Sequence, residues 1–201
     1  MKKLLAFSIC ICLLFVTIGV LPVHGEEEIY DSVLRLHVVA NSDSEEDQSL
    51  KLEVRDKVIQ ISRELCGECQ RLEEAQAIIK ENLQSICDTA AEQIKESGYN
   101  YSVEVRLGEE KYPRKTYDSL CFPSGKYLSL QVLIGNAEGQ NWWCVLFPPL
   151  CLDAATDPSS NEELFISVGL TSEQYKIITE SDSPSYKARF KLLEIIENAI
   201  Q

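Results

Sequence analysis

The sequence predicts an α+β domain of two layers, a mainly antiparallel sheet with helices packed on one face. Three observations carry this. Several segments alternate apolar and polar side chains with the period of a half-buried strand. Two long stretches between the first and second of these carry apolar residues at helical spacing. The resulting order, strand, helix, helix, strands, helices, segregates helices to one side of a sheet. With 201 residues, 45% of them hydrophobic, the chain can bury one proper core, and its composition does not suggest disorder.

At the start, Lys2 and Lys3 precede an apolar run from Leu4 to Leu21, followed by Pro22, Val23-His24-Gly25 and Glu26-Glu27-Glu28. Charge, length and flanks are those of a secretory signal over 1–25, cleaved after Gly25 or retained as an anchor. The remainder is expected outside the cytoplasm, with a core domain over 26–152 and a loop and helices over 153–201 packed on it.

Leu34, Leu36, Val38 and Ala40 share one face of a first strand, and Arg35 and His37 the other. Asn41 to Ser44 is turn and cap chemistry; Ser42 with Glu45 fits a capping box better than Ser44 with Asp47. A helix with Leu50, Val54, Val58, Ile61 and Leu65 follows and stops at Gly67. A second, longer helix carries Leu72, Ala75, Ile79, Leu83, Ile86, Ala90 and Ile94 and ends at Gly98. Tyr101, Val103, Val105 and Leu107 then alternate with Ser102, Glu104 and Arg106 as a strand. Residues 108–125 read mostly as loop, with a short strand at Lys115 to Cys121. Leu128, Leu130, Val132 and Ile134 mark another strand, which Gly135 to Gly139 should join to the next as a hairpin. Further on, Thr171 and Gln174 cap a short helix, and Tyr186, Phe190, Leu193, Ile196 and Ile200 stripe a last one.

Gly139 to Cys151 holds both tryptophans and two of the eight cysteines. It reads as a short apolar strand stopped by Pro148-Pro149. Side chains alternate on a strand, so Trp142 and Trp143 point to opposite faces. One is expected in the core and the other at a contact or under a loop, so the strand is either central and buried or part of a binding surface. The polar faces of three strands put Arg35, His37, Glu104, Arg106 and Gln131 on the side away from the helices. That side is either a solvated sheet face or one offered to a partner.

The formal net charge is −13, and without Lys2 and Lys3 seventeen basic residues face thirty-two acidic ones. Such a surface repels nucleic acid and anionic lipid and favours a protein partner or a cationic patch. Six cysteines follow the signal, an even number that suggests disulfides in an exported chain. Cys144 and Cys151, with Pro148-Pro149 turning the chain between them, are candidates for one bridge. Cys66-Gly67-Glu68-Cys69 has a redox or zinc spacing, but no second such pair follows, so a local disulfide or two inert thiols is the simpler reading. Nucleophile elbows, phosphate loops and HExxH are missing. The one histidine after the signal is His37, which leaves Cys144 with His37 as the available thiol-enzyme pairing. No cofactor or metal is called for.

The motif Arg35-Leu36-His37-Val38-Val39-Ala40-Asn41-Ser42-Asp43, with Asp47-Gln48, Leu50-Lys51 and Val54-Arg55-Asp56, resembles the stage II sporulation protein R family of endospore formers. The resemblance continues at Pro123 to Tyr127, Ile134-Gly135, Gly139, Asn141 to Val145 and Phe147 to Cys151, covering about residues 30 to 152. It implies a protein exported from the forespore into the space between forespore and mother-cell membranes. There it would trigger the mother cell's membrane-embedded aspartic protease, which processes the sigma-E precursor, and would carry no catalytic residues itself. Arg35, His37, Asn41, Asp43, Asn141, Trp142 and Trp143 are the contact candidates on this reading. An exported cysteine-dependent enzyme and an envelope-structural protein are the alternatives. N-terminal sequencing of protein from sporulating cells should find a start near Glu26; an intact Met1 on a soluble cytoplasmic species would refute export.

Overall fold

The computed structural model describes residues 22–23, 27–117, 120–148, 165–167, 170–179 and 187–188. The expected signal and final helix fall outside these residues, apart from β1 (Pro22–Val23) and β8 (Lys187–Ala188), which pair antiparallel. These two strands belong to a unit formed by residues 1–25 and 182–201, separate from the larger unit of 26–181. No helix among the described residues is long and apolar enough to cross a membrane.

The larger unit is α+β, as expected. Its elements are α1 (Glu27–Tyr30), β2 (Leu34–Val39), α2 (Glu45–Cys66), α3 (Leu72–Glu81), α4 (Leu83–Glu96), β3 (Val103–Tyr112), β4 (Lys115–Tyr117), β5 (Leu120–Phe122), β6 (Gly125–Ile134), β7 (Asn141–Phe147) and α5 (Ser172–Thr179). The main sheet has the order β3-β6-β2-β7. β3 and β6 are antiparallel, β2 and β7 are antiparallel, and β2 runs parallel to β6.

This order overturns the expected hairpin. β6 and β7 are consecutive in sequence, yet β2 lies between them and hydrogen-bonds both. All six residues of β2 are buried, so it occupies the centre, where neither face nor either edge meets water. The tryptophan strand is accordingly an edge strand, not a central one.

Leu34, Leu36 and Val38 of β2, Leu130, Val132 and Ile134 of β6, and Val54, Val58, Ile79, Ile86 and Ile94 of the helices form one buried cluster. It is the predicted helix-side core, drawn from the alternating and helical stripes. Two helical expectations are corrected. The long second helix breaks at Asn82, whose backbone N–H and side-chain amide both cap carbonyls at the end of α3, the amide reaching the Ile78 carbonyl at 2.8 Å. The N-cap of α2 is Ser44, which accepts from the Asp47 N–H at 3.1 Å. Ser42 is engaged elsewhere, as described below, so the Ser42–Glu45 box does not form. The Thr171–Gln174 box does: Thr171 N–H donates to Gln174 Oε1 at 2.6 Å and Gln174 N–H to Thr171 Oγ1 at 3.2 Å.

The sheet's far face is not simply solvated, and the two-layer expectation is incomplete there. Residues 108–125, read mostly as loop with a short strand at Lys115 to Cys121, extend β3 to Tyr112 and fold β4 against β5 as two short strands in that place. With Ile29, Val33, Phe165, Leu170, Tyr175 and Ile178, the residues Tyr112, Leu120, Phe122 and Tyr127 make a second apolar cluster over one end of that face.

Leu36→Ala should cost about 2–5 kcal/mol, because Leu36 is fully buried and the helix layer cannot collapse into the void. Leu52→Ala, at 37% exposure, should cost no more than about 0.5 kcal/mol. Urea denaturation measures both; equal losses would contradict this core.

Candidate functional site

The link from β6 to β7 has to cross the end of β2, and the residues beneath it hold it there. Gly139 N–H donates to the Ala40 carbonyl at 3.0 Å and Glu138 N–H to the Asn41 carbonyl at 3.3 Å. Asn41 Oδ1 accepts from Asn136 N–H at 3.0 Å, and Asp43 Oδ1 accepts from Gln140 N–H at 2.7 Å. Two glycines make the approach possible. Gly135 has φ +57°, and a Cβ there would overlap the Asn41 side chain; a Cβ at Gly139 would overlap the Ser42 carbonyl.

Asp47, on the first turn of α2, ties this arch to the helix. Its Oδ2 accepts from Asn41 Nδ2 at 2.8 Å and from Ser42 Oγ at 2.5 Å. These bonds, that from Ser42 foremost, hold the carboxyl below its ordinary value. One turn on, Lys51 is buried and donates to Gln48 Oε1 at 2.6 Å and to the Gln140 carbonyl at 3.0 Å. Burial lowers its pKa, with Asp43 opposing. Asn41 and Asp43, expected as contact residues, both hold the arch in place, Asp43 from an exposed position.

Arg35 is fully buried, which corrects the expectation of a solvent-facing side chain. Its guanidinium lies 4.2 Å from the ring centre of Tyr112, 4.9 Å from Tyr127 and 5.3 Å from Phe122. Nη2 donates to Tyr117 Oη at 3.0 Å, and Tyr117 in turn donates to the Trp143 carbonyl at 2.8 Å. Nε reaches the Cys144 carbonyl at 3.3 Å, whereas buried Nη1 has no hydrogen-bond partner among the described residues. Aromatic faces take the place of a carboxylate around this cation.

His37, next on the same face, is nearly buried at 8% exposure. Nδ1 lies 2.8 Å from Glu110 Oε1 and Nε2 2.8 Å from Asn141 Oδ1. Ser129 Oγ donates to Glu110 Oε2 at 3.0 Å and shares a 2.7 Å hydrogen bond with Tyr112 Oη. Burial raises the Tyr112 pKa, so its hydroxyl stays neutral. His37 also packs against Trp143, ring centres 5.7 Å apart. Both polar residues of the first strand therefore support β7 from behind.

What faces out is the first half of β7. Asn141 is exposed, and Trp142 is 36% exposed, with Arg55 of α2 stacked on its ring at 4.3 Å. Trp143 is half-buried against the second cluster, with Lys115 5.4 Å from its ring centre. Neither tryptophan lies in the helix-side core, contrary to expectation, since an edge strand has core beneath only its far half, Cys144 to Phe147. Leu52 is another exposed large apolar side chain on α2, three residues before Arg55.

Cys144 is register partner of Leu36 and packs in the helix-side core, while His37 points to the opposite face. The sheet separates them, so the thiol-enzyme pairing does not form. Cys151, the other half of the expected Cys144–Cys151 bridge, lies outside the described residues. Asp47, Lys51 and Arg55 were not among the candidates, although their spacing of four along a helix places polar groups on one stripe. Glu110, Tyr112 and Tyr117 gave no local signal.

A family model described as stage II sporulation protein R matches residues 30–157. A curated relative, stage II sporulation protein R of Bacillus subtilis (strain 168), is 35% identical over 175 residues, 81% of this chain and 77% of the relative. No solved structure matches.

Asp47 supplies a pH test of the arch. Its folded pKa is depressed, so its contribution is complete above the ordinary value of 3.8 and is lost as pH falls through the folded value. Asp47→Asn should therefore be less stable than the parent at neutral pH, and the gap should close in acid. A gap that stays constant through acid denaturation would mean that the carboxylate charge is irrelevant.

Proposed function

This chain belongs to the stage II sporulation protein R family, and on that footing we propose that it is an exported signalling protein of sporulation. Released from the forespore into the space between the two membranes, it activates the mother cell's membrane-embedded aspartic protease, which then processes the sigma-E precursor. The role asks for recognition and not for chemistry in this chain.

The observation that carries the reading is the family match over 30–157, which spans the arch, the buried Arg35 and the tryptophan edge together. The N-terminal basic and apolar pattern supports export, and the strongly acidic composition supports a protein partner over nucleic acid. Asn141, Trp142 and Trp143 supply the contact: a solvent-exposed aromatic on a strand edge is the kind of group that dominates binding energy when a partner covers it. In this reading Arg35 and His37 act from beneath β7, and Asn41 and Asp43 hold the link that leads into it.

The test is co-expression of the chain with the protease and the sigma-E precursor, read as precursor cleavage beside thermal melting. Trp142→Ala should cost no more than about 1 kcal/mol of stability and yet abolish cleavage, since a hot-spot truncation removes about 2 kcal/mol or more of binding. Arg35→Ala should lose both together, by about 3 kcal/mol or more of stability. Full cleavage with Trp142→Ala would move the contact surface elsewhere; no cleavage with the parent chain would sink the role itself.

A further inference from the structure

The turn between α2 and α3 carries two thiols that the proposed signalling role does not use. Cys66 ends α2, and Gly67, Glu68 and Cys69 follow. The Cys69 N–H donates to the Cys66 carbonyl at 3.0 Å. That bond closes a four-residue turn, whose end Cα atoms lie within about 7 Å, which is the reach a disulfide requires. Both side chains pack on the same helix-side core, where the Cys66 Sγ lies 4.0 Å from the Ala75 carbonyl. Gly67 and Glu68 are exposed and both cysteines half-buried, so a small oxidant can reach sulfur from solvent. Cys87 is directed elsewhere, its Sγ 3.6 Å from the Val103 carbonyl.

We propose that Cys66 and Cys69 are a redox site, bridged by exchange with a small-molecule disulfide into a staple across the turn that leaves the end of α2. Cys69, as thiolate, attacks one sulfur of that disulfide and expels the other as a thiolate, leaving a mixed disulfide. Cys66 then loses its proton and attacks the Cys69 sulfur, expelling the second small thiol. Two protein thiols are oxidised to one bridge, and one small disulfide is reduced to two thiols.

The surroundings set the character of the bridge. Redox pairs that act as oxidants sit where a thiolate is stabilised, as at a helix N-terminus, and that stabilisation favours the reduced form. Here the pair lies at a helix C-terminus, where the last carbonyls carry partial negative charge. Burial pushes the Cys66 thiol up to about 12 and raises Cys69 as well. The reduced form gains nothing from thiolate stabilisation. The bridge is therefore a structural one, slow to form and hard to reduce, entered through the thiol outside the helix.

The experiment equilibrates the full chain in glutathione redox buffers, quenches with acid, alkylates and maps peptides by mass. Cys66 and Cys69 should lose their label together, on one peptide lacking two hydrogens, while Cys87 keeps its label. The bridge should persist in about tenfold excess of reduced over oxidised glutathione. The oxidised chain should melt above the reduced chain, and Cys69→Ser should abolish that difference. Independent labelling of the two cysteines, a stable glutathione adduct on Cys69 without ring closure, or a bridge from either to Cys87 would each overturn the proposal.

Discussion

The crossing of residues 135–140 over the end of β2 is the constraint on which the rest of the sheet depends. Once β2 sits between β6 and β7, those two strands cannot pair, and the link between them must arch across Ala40 to Asp43. An arch of this length leaves no room for side chains where it presses down, hence Gly135 and Gly139. Its backbone donors at Asn136, Glu138, Gly139 and Gln140 point at residues 40–43, which hold acceptors for them. Asn41 and Asp43 provide them, and Asp47 and Lys51 connect the same network to the first turns of α2. Strand order, turn glycines and the polar residues flanking β2 are therefore one solution to one steric problem.

Burying Arg35 follows from the same geometry. A cation at the centre of a sheet loses its water, and an isolated one would be costly. The β4–β5 hairpin and the ends of β3 and β6 bring aromatic faces around it, and Tyr117 relays its hydrogen bond to the β7 backbone. The cage fixes Arg35, and Arg35 in turn fixes β7 through two consecutive carbonyls, those of Trp143 and Cys144. His37, held between Glu110 and Asn141, does the same one position nearer the arch. An edge strand held by side chains along its inner face can present a rigid outer half, which suits recognition better than catalysis. That rigidity is the structural content of the proposed signalling role, in which the aromatic edge and not a reactive group is what the partner meets.

Much of this was legible in the sequence. The alternation of Leu34, Leu36 and Val38 fixed the core face of β2, and the stripes from Leu50 to Ile94 fixed the helix layer, because period alone decides which side chains share a face. The signature from Arg35 to Asp43, with Asn141 to Cys144, pointed to the family that the comparisons identify. Local cap chemistry was legible where nothing competed, as at Thr171 and Gln174. It failed at Ser42, whose hydroxyl goes to the Asp47 carboxylate, only two residues beyond Glu45, and leaves Ser44 as the cap.

Tertiary structure alone decided what those residues do. Adjacent strands in sequence usually pair, so Ile134, Gly135 to Gly139 and Asn141 read as a hairpin; only the insertion of β2, from about a hundred residues upstream, separates them. A polar residue alternating with leucines reads as solvent-facing, and nothing near Arg35 in sequence announces Tyr112, Phe122 and Tyr127, which arrive from roughly eighty or more residues away. Periodicity records which face a side chain takes, because that is a local property of the backbone. Whether that face meets water, a cage or a partner depends on where distant segments come to rest.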